Sequence, residues 1–335
     1  MNVFFICNRM LVPFCGISGR WKRLFCVFEQ IYWKREMKKL KIGFIGAGRV
    51  GRALGLYFTH HGLIIAGYSS RTPASAKEAA ALTGSKWFYH MEETAAASDV
   101  LFLTTPDHVL PEADKEAAAL LQQHPAWRTK IWLHVSGAHS SACLAALSAA
   151  GCPVGSLHPL QSFGDPAVSA KMLEKTYFST EGTPKALEAV ERILKQTGAA
   201  CSRIETDKKP LYHAGACVLS NYLVMLIDTG LQLMQVAGMD RETLFPAVMP
   251  LIDGTLENIR EQGTVQALTG PIVRADYGTV AAHCRAVDHS LPQLAGWYRA
   301  LALQTVNFAE NGGRLGCEQA ENFRKLLQGC GSNEQ

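Results

Sequence analysis

No CxxC pair occurs among the ten cysteines (7, 15, 26, 143, 152, 201, 217, 284, 317 and 330), and their spacing is irregular. Without a secretion signal, that pattern excludes a disulfide scaffold and a zinc cluster, so no metal site is expected. It indicates free thiols in a reducing cytoplasm. Long apolar runs are missing from residues 1–36, where Arg9 and Pro13 interrupt well short of the ~20 residues a membrane span needs. Nor does that stretch have the basic start, apolar stretch and cleavage site of a signal peptide. It reads as an extension outside the fold, with a peripheral membrane-binding segment as the second reading, and Met37 is a natural start before KKLKIGFIG. A basic footprint for nucleic acid is also lacking. The formal charge is +4, but eight of the 33 Lys and Arg and only two of the 29 Asp and Glu fall in residues 1–40, leaving the rest slightly acidic. Internal repeats and low-complexity linkers are absent too. What remains, 335 residues with 48% hydrophobic and 19% charged side chains, is the composition of an ordinary globular protein of about two domains.

The stretch KIGFIGAGRVGRALG (41–55) organises the first half. Ile42, Phe44 and Ile45 read as a buried strand, which runs into Gly46, Ala47, Gly48, Arg49, Val50 and Gly51. Val50, Leu54 and Phe58 then recur at helical spacing. Strand, glycine turn and helix in that order suit a pyrophosphate: Gly46 permits the turn, Gly48 lets backbone approach the phosphates, and Gly51 lets helix and strand pack closely. The helix N-terminus offers unpaired N–H groups to the anion. Past the second strand (63–68) an acidic residue would select NAD. Here Ser69, Ser70 and Arg71 stand with no carboxylate, so NADP(H) is the expected cofactor, with Arg71 on the 2′-phosphate. The alternative is that Arg71 is a solvated loop residue.

Helices at 74–82, 110–122, 142–149 and 184–196 alternate with strands at 86–89, 98–104, 130–135, 176–180 and 200–204, a pattern that predicts a mainly parallel sheet covered on both faces. Ligands lie beyond the carboxyl ends of such strands. Thr104, Thr105 and Pro106 should therefore face the cofactor, with His134 and Ser136 toward its nicotinamide end. His134 could equally be a hydrogen-bonded core histidine. A further strand ends in LHPLQSF (157–163), which sets His158, Gln161 and Ser162 beside apolar groups and could line a substrate pocket.

From 207 to 330 no strand pattern occurs and helices dominate, at 207–237, 241–260, 277–287, 292–309 and 317–327. The first is apolar and small almost all round, so it should be buried in a bundle or between subunits, and Asp228 within it argues against a membrane span. Cys217 there reads as a small core residue. At ~100° per residue, Lys209, His213 and Ser220 share one stripe, with Asn221 flanking. A lysine and a histidine on such a helix suggest a polar cleft, where either could protonate a C=O or C=N group as hydride arrives; the bland alternative is an exposed first turn. In TGPIVRAD (269–276), Arg274 could anchor a carboxylate or phosphate, or instead pair with Asp276.

GFIGAGRVG, LHPLQSF, KPLYHAGACVLSNYLV (209–224) and ALTGPIVRAD (267–276) together resemble bacterial Rossmann-like proteins whose helical C-terminal half is the domain of unknown function DUF2520. The resemblance covers about residues 38–328. It implies an α/β fold, a Rossmann doubly wound parallel sheet followed by an all-α C-terminal domain like that of 6-phosphogluconate dehydrogenase. The wider group includes pyrroline-5-carboxylate reductases and F420-dependent NADP reductases. Its members commonly dimerise through the helical domain, and its hydroxyacid dehydrogenases use a helix-borne lysine and asparagine in catalysis. Lys209 and Asn221 are the counterparts here, but their separation departs from the i, i+4 spacing of that motif, which puts the hydroxyacid mechanism in question. No substrate is implied.

The expectation is thus an NADP(H)-dependent oxidoreductase of a small polar substrate, cytoplasmic and homodimeric, without nucleic-acid or membrane partners. Residues 37–205 would bind the cofactor and 206–330 the substrate and second subunit. Lys209, His213, His158 and Asn221 are the catalytic candidates; Gln161, Ser162, Ser220 and Arg274 would bind substrate. The rival is a non-catalytic NADP(H)-binding redox sensor using the same pocket.

Overall fold

Four of the five residues of β1 (Lys41–Ile45) are buried, and the whole of the later strand VLFL is buried as well, because both strands lie inside the sheet with a layer on each face. The structure, a computed structural model, describes residues 40–329; the extension expected at 1–36 lies outside them. After β1 come α1 (Arg49–His60), β2 (Ile64–Ser69), α2 (Pro73–Thr83), β3 (Lys86–Phe88), α3 (Met91–Ala97), β4 (Val100–Leu103), α4 (Leu110–Gln123) and β5 (Ile131–His134). The chain continues through α5 (Ala145–Ala149), β6 (Val154–Pro159), α6 (Pro166–Leu173), β7 (Phe178–Gly182), α7 (Pro184–Thr197) and β8 (Cys201–Arg203) to α8 (Lys209–Cys217).

The eight strands form one sheet in the order β3-β2-β1-β4-β5-β6-β7-β8. All neighbours are parallel except β6 and β7, where His158 stands opposite Ser179 and Ser156 opposite Glu181. The order reverses between β1 and β4, the place where an open α/β sheet leaves a crevice at its carboxyl edge. Alternation along the strands feeds two cores. Val100 and Phe102 join Phe44, Leu54, Phe58 and Tyr68 on one face, while Leu101 and Leu103 join Trp132, Leu121 and Leu147 on the other.

Two helices were not anticipated from the sequence. The Glu93 carboxylate accepts the backbone N–H groups of Tyr89 and His90 and so starts α3. Asp165 accepts from the amides of Ala167 and Val168, at 3.0 Å each, and with Pro166 in the first turn it starts α6.

The described chain divides into two compact units, the first ending at Cys217 and the second beginning at Val218. The second opens with a π-helical turn, Val218–Tyr222, followed by α9 (Leu223–Val236), α10 (Arg241–Ala267), α11 (Tyr277–Ser290), α12 (Pro292–Asn311) and α13 (Cys317–Gly329). Its core is built from Val280, Cys284, Val306, Ala309, Ala320 and Phe323. The long helix α10 carries Pro246 and Pro250 and breaks at Gly263, where φ is 75°. Among the described residues the helical run Thr206–Val236 is long and apolar enough to cross a membrane by length and composition. Of its residues only Lys209 and Thr229 are buried in this chain, and Leu219 and Val224 are 75% and 68% exposed.

Candidate functional site

At the carboxyl end of β1 the chain turns sharply because Gly46 takes φ of 108°, a conformation that costs other residues strain. Its amide donates to Ser69 O at 2.8 Å, and the Thr104 hydroxyl donates to Gly46 O at 2.7 Å, so three strand tips are tied together there. A methyl on Gly51 would come within 2.6 Å of Thr104 Oγ1, so the α1 backbone packs directly on the tip of β4. At Gly48 the opposite holds: a methyl would meet nothing within 4 Å. Gly48 also begins α1 with no side-chain cap, leaving the helix N-terminus open for an anion. The hydroxyls of Ser69 and Thr105 are buried without a partner on either side of this turn. Arg49 and Arg71 are exposed beside it. Glycine cradle, uncapped helix and two orphan hydroxyls fit the phosphates and ribose of a dinucleotide.

Further along the same edge the loop after β5 is held by Ser136, whose hydroxyl donates to Asp107 Oδ2 at 2.9 Å and accepts the amides of Ala138 and His139. Ser136 thus spends its polar atoms on the loop. His134 is fully buried in β5, and its Nδ1 accepts the Ser136 amide at 3.2 Å. Burial, with the Lys209 charge adding, pushes its pKa down to about 3, so the ring stays neutral in the core, out of reach of a ligand.

Beyond β6 the rings of His158 and His213 close over Gly137, with Tyr212 set against His158. The Tyr212 hydroxyl lies 2.8 Å from His158 Nδ1, and the rings of His158 and His213 meet edge to face with centroids 6.4 Å apart. A methyl on Gly137 would sit 2.6 Å from His213 Nδ1 and 2.7 Å from His158 Nε2, so only glycine lets both imidazoles close over this loop. His213 Nε2 is 3.5 Å from Cys217 Sγ, and its Nδ1 is covered without a partner. Burial, helped by the Lys209 charge and the neighbouring His213, pushes His158 down to about pKa 4, which makes it a neutral ring at physiological pH.

Lys209, expected to meet substrate, is 1% exposed. Its ammonium donates to Ser156 Oγ and lies 3.4 Å from Glu181 Oε1. Glu181, 2% exposed, also accepts from the Ser141 amide (2.9 Å), the Ser141 hydroxyl (2.7 Å), the Ser156 hydroxyl (2.5 Å) and the Thr206 hydroxyl (3.3 Å). Burial alone would raise the Glu181 carboxyl, but these donors and Lys209 outweigh it and its pKa is lowered. Burial lowers Lys209, and Glu181 offsets part of that. The lysine reaches under the sheet edge instead of following the stripe, because the carboxylate it needs stands on β7. Sequence reasoning passed over Glu181 and Tyr212. The signal for the first was weak, a lone carboxylate in the short strand FSTEG that only the fold shows to be buried; for the second it was a place one turn past Lys209.

The other candidates are placed separately. Gln161 binds Ser169 O at 3.2 Å and accepts the Thr176 hydroxyl, so it fastens the loop before α6, while Ser162 is exposed. In the second unit Ser220 and Asn221 are exposed on the π-helical turn, a feature that often marks functional positions. Arg274 is exposed after Gly270, and the Asp276 carboxylate is taken up by the Thr279 amide (3.0 Å) and hydroxyl (2.7 Å) at the start of α11. Ala275 between them holds φ of 53°.

Sheet order, switch point and glycine cradle define a protein of the Rossmann type. Comparison makes this specific: residues 33–159 match the family model of a Rossmann-like domain and residues 176–305 that of DUF2520, a domain of unknown function, so the chain joins one to the other. Among solved structures, a candidate NADP oxidoreductase from Bacteroides fragilis is 19% identical with a TM-score of 0.61, over 81% of this chain and 98% of its own. Protein TM1727 from Thermotoga maritima is 24% identical with the same score and coverage. Plasmodium falciparum pyrroline carboxylate reductase, solved with NADP bound, is 14% identical with a TM-score of 0.54, over 86% of this chain and 99% of its own. At these identities the likeness is one of fold. No curated protein matches the chain.

Proposed function

We propose that this protein is an NADP(H)-dependent oxidoreductase that moves a hydride to or from a C=O or C=N group of a small polar substrate. The observation that carries the reading is the open, uncapped start of α1 at Gly48, flanked by the orphan hydroxyls of Ser69 and Thr105 and by Arg71. Gly46 to Gly51 would hold the pyrophosphate; Ser69, Ser70 and Arg71 would hold the 2′-phosphate; Thr104 to Pro106 would border the ribose. A bound reduced nicotinamide supplies the hydride. His158 is the group in this unit suited to touch the acceptor, because its Nε2 borders the loop at Gly137 while Nδ1 is engaged by Tyr212. His213 borders the same glycine through its Nδ1. Lys209 acts through position, holding the start of α8 to β6 and β7. The chain is proposed to pair with a second copy through the helical unit. Exposed Leu219, Tyr222 and Val224 support that pairing.

The test is titration with NADPH and NADH, followed by turnover with a panel of keto acids, imines and semialdehydes. Saturable NADPH binding and faster oxidation with one of the panel are expected; binding without oxidation on any member favours the sensor. Arg71→Ala should weaken NADPH by about 10- to 100-fold, the worth of a hydrogen bond to a charged group, and leave NADH unchanged. Equal losses for the two nucleotides would remove the phosphate reading.

A further inference from the structure

Each nitrogen of His158 has its own surroundings. Nδ1 faces the Tyr212 hydroxyl at 2.8 Å across perpendicular rings, and Nε2 borders the α-carbon of Gly137 at the carboxyl edge of the sheet. From this geometry we infer that Tyr212 is a positioning residue: its O–H donates to His158 Nδ1 and thereby fixes the imidazole as the Nε2–H tautomer, a hydrogen-bond donor toward an acceptor atom of the substrate.

Three features support the direction of that bond. A phenol O–H is a good donor and its oxygen a weaker acceptor than an imidazole nitrogen, so a neutral pair settles with the proton on oxygen. Burial raises the Tyr212 hydroxyl above its ordinary pKa, which keeps the proton in place. The ammonium of Lys209, fixed beneath by Glu181 and Ser156, and the neighbouring ring of His213 both disfavour a second proton on His158. A single neutral tautomer is the result. Such a ring polarises a carbonyl oxygen or imine nitrogen by donating to its lone pair, and it cannot serve as a base at Nε2. The inference rests on the oxidoreductase reading for what His158 touches, and it gives that site a preference: it is built to stabilise negative charge growing on the acceptor atom during reduction.

The tautomer is measurable without substrate. In protein labelled with 15N-histidine, two-bond proton–nitrogen correlations distinguish Nε2–H from Nδ1–H, and loss of one pattern in His158→Gln assigns it. The wild-type protein should show His158 as Nε2–H with a hydrogen-bonded Nδ1. In Tyr212→Phe the single pattern should give way to a mixture of tautomers, with the other histidines unmoved. A second perturbation guards against a folding defect: replacing tyrosine by 3-fluorotyrosine strengthens the donor and should shift the His158 Nδ1 resonance in an intact protein. An Nδ1–H pattern in the wild type, or a pattern unchanged in Tyr212→Phe, would overturn the inference whether or not the protein turns over any substrate. With a reducible substrate in hand, Tyr212→Phe should lower kcat about tenfold and leave NADPH affinity unchanged. A correct tautomer without reductase activity would sink the functional reading and spare the assignment.

Discussion

The two units of this chain treat costly groups in opposite ways. In the sheet unit the expensive side chains are charged and hidden: Glu181 and Lys209 are almost fully buried, and each is met by hydroxyls or by the other. In the helical unit the expensive side chains are apolar and uncovered, with Leu219, Tyr222 and Val224 all more than 60% exposed. The first pattern belongs to a surface already complete within one chain. The second belongs to one that gains by being covered.

Removing one half of the hidden pair is the strongest way to break this contrast. Glu181→Ala leaves Lys209 as an uncompensated buried cation and should cost about 3–5 kcal/mol in denaturant unfolding. The sign with pH follows from the lowered carboxyl. Its contribution is present above the ordinary carboxylate pKa and is lost as pH falls through the lower folded value, so the gap between wild type and variant should close in acid. Gly137→Ala should cost less, about 1–3 kcal/mol, since a methyl must push aside two imidazoles. Turnover should fall further than stability, because one of those rings is the proposed donor. Smallest for the fold is Leu219→Asp. Unfolding should change by no more than about 0.5 kcal/mol, as is usual at an exposed position. On the proposed pairing, sedimentation should nevertheless move from dimer to monomer, and an unchanged sedimentation profile would dismiss the apolar face as the site of pairing.

The nucleotide end was legible in the sequence because its parts are contiguous: strand, glycine turn and helix follow each other within residues 41–60. Most helices and strands were legible for the same reason, since periodicity and end signals are local. What could not be read was where a long side chain goes. Lys209 and His213 lie one turn apart on the helix, yet the first reaches under the sheet and the second rests on a loop after β5. Their partners, Glu181 on β7 and Gly137, are distant in sequence, and only the sheet order brings them close. The same blindness applied to His134, whose depth depends on which strands flank β5. The helices α3 and α6 were missed although Glu93 and Asp165 carry recognisable start signals, because both are short and weakly periodic.

The loop from Ser136 to Ser141 has almost no regular structure, yet one carboxylate joins its end to two adjacent strands and to the first turn of a helix. Segments fastened through a single shared acceptor cannot loosen one at a time, since freeing any of them strands polar atoms on the others. The imidazoles of His158 and His213 therefore rest on irregular backbone whose far end is tied through Glu181 to the sheet and to α8, so that freeing that end would strand polar atoms on both.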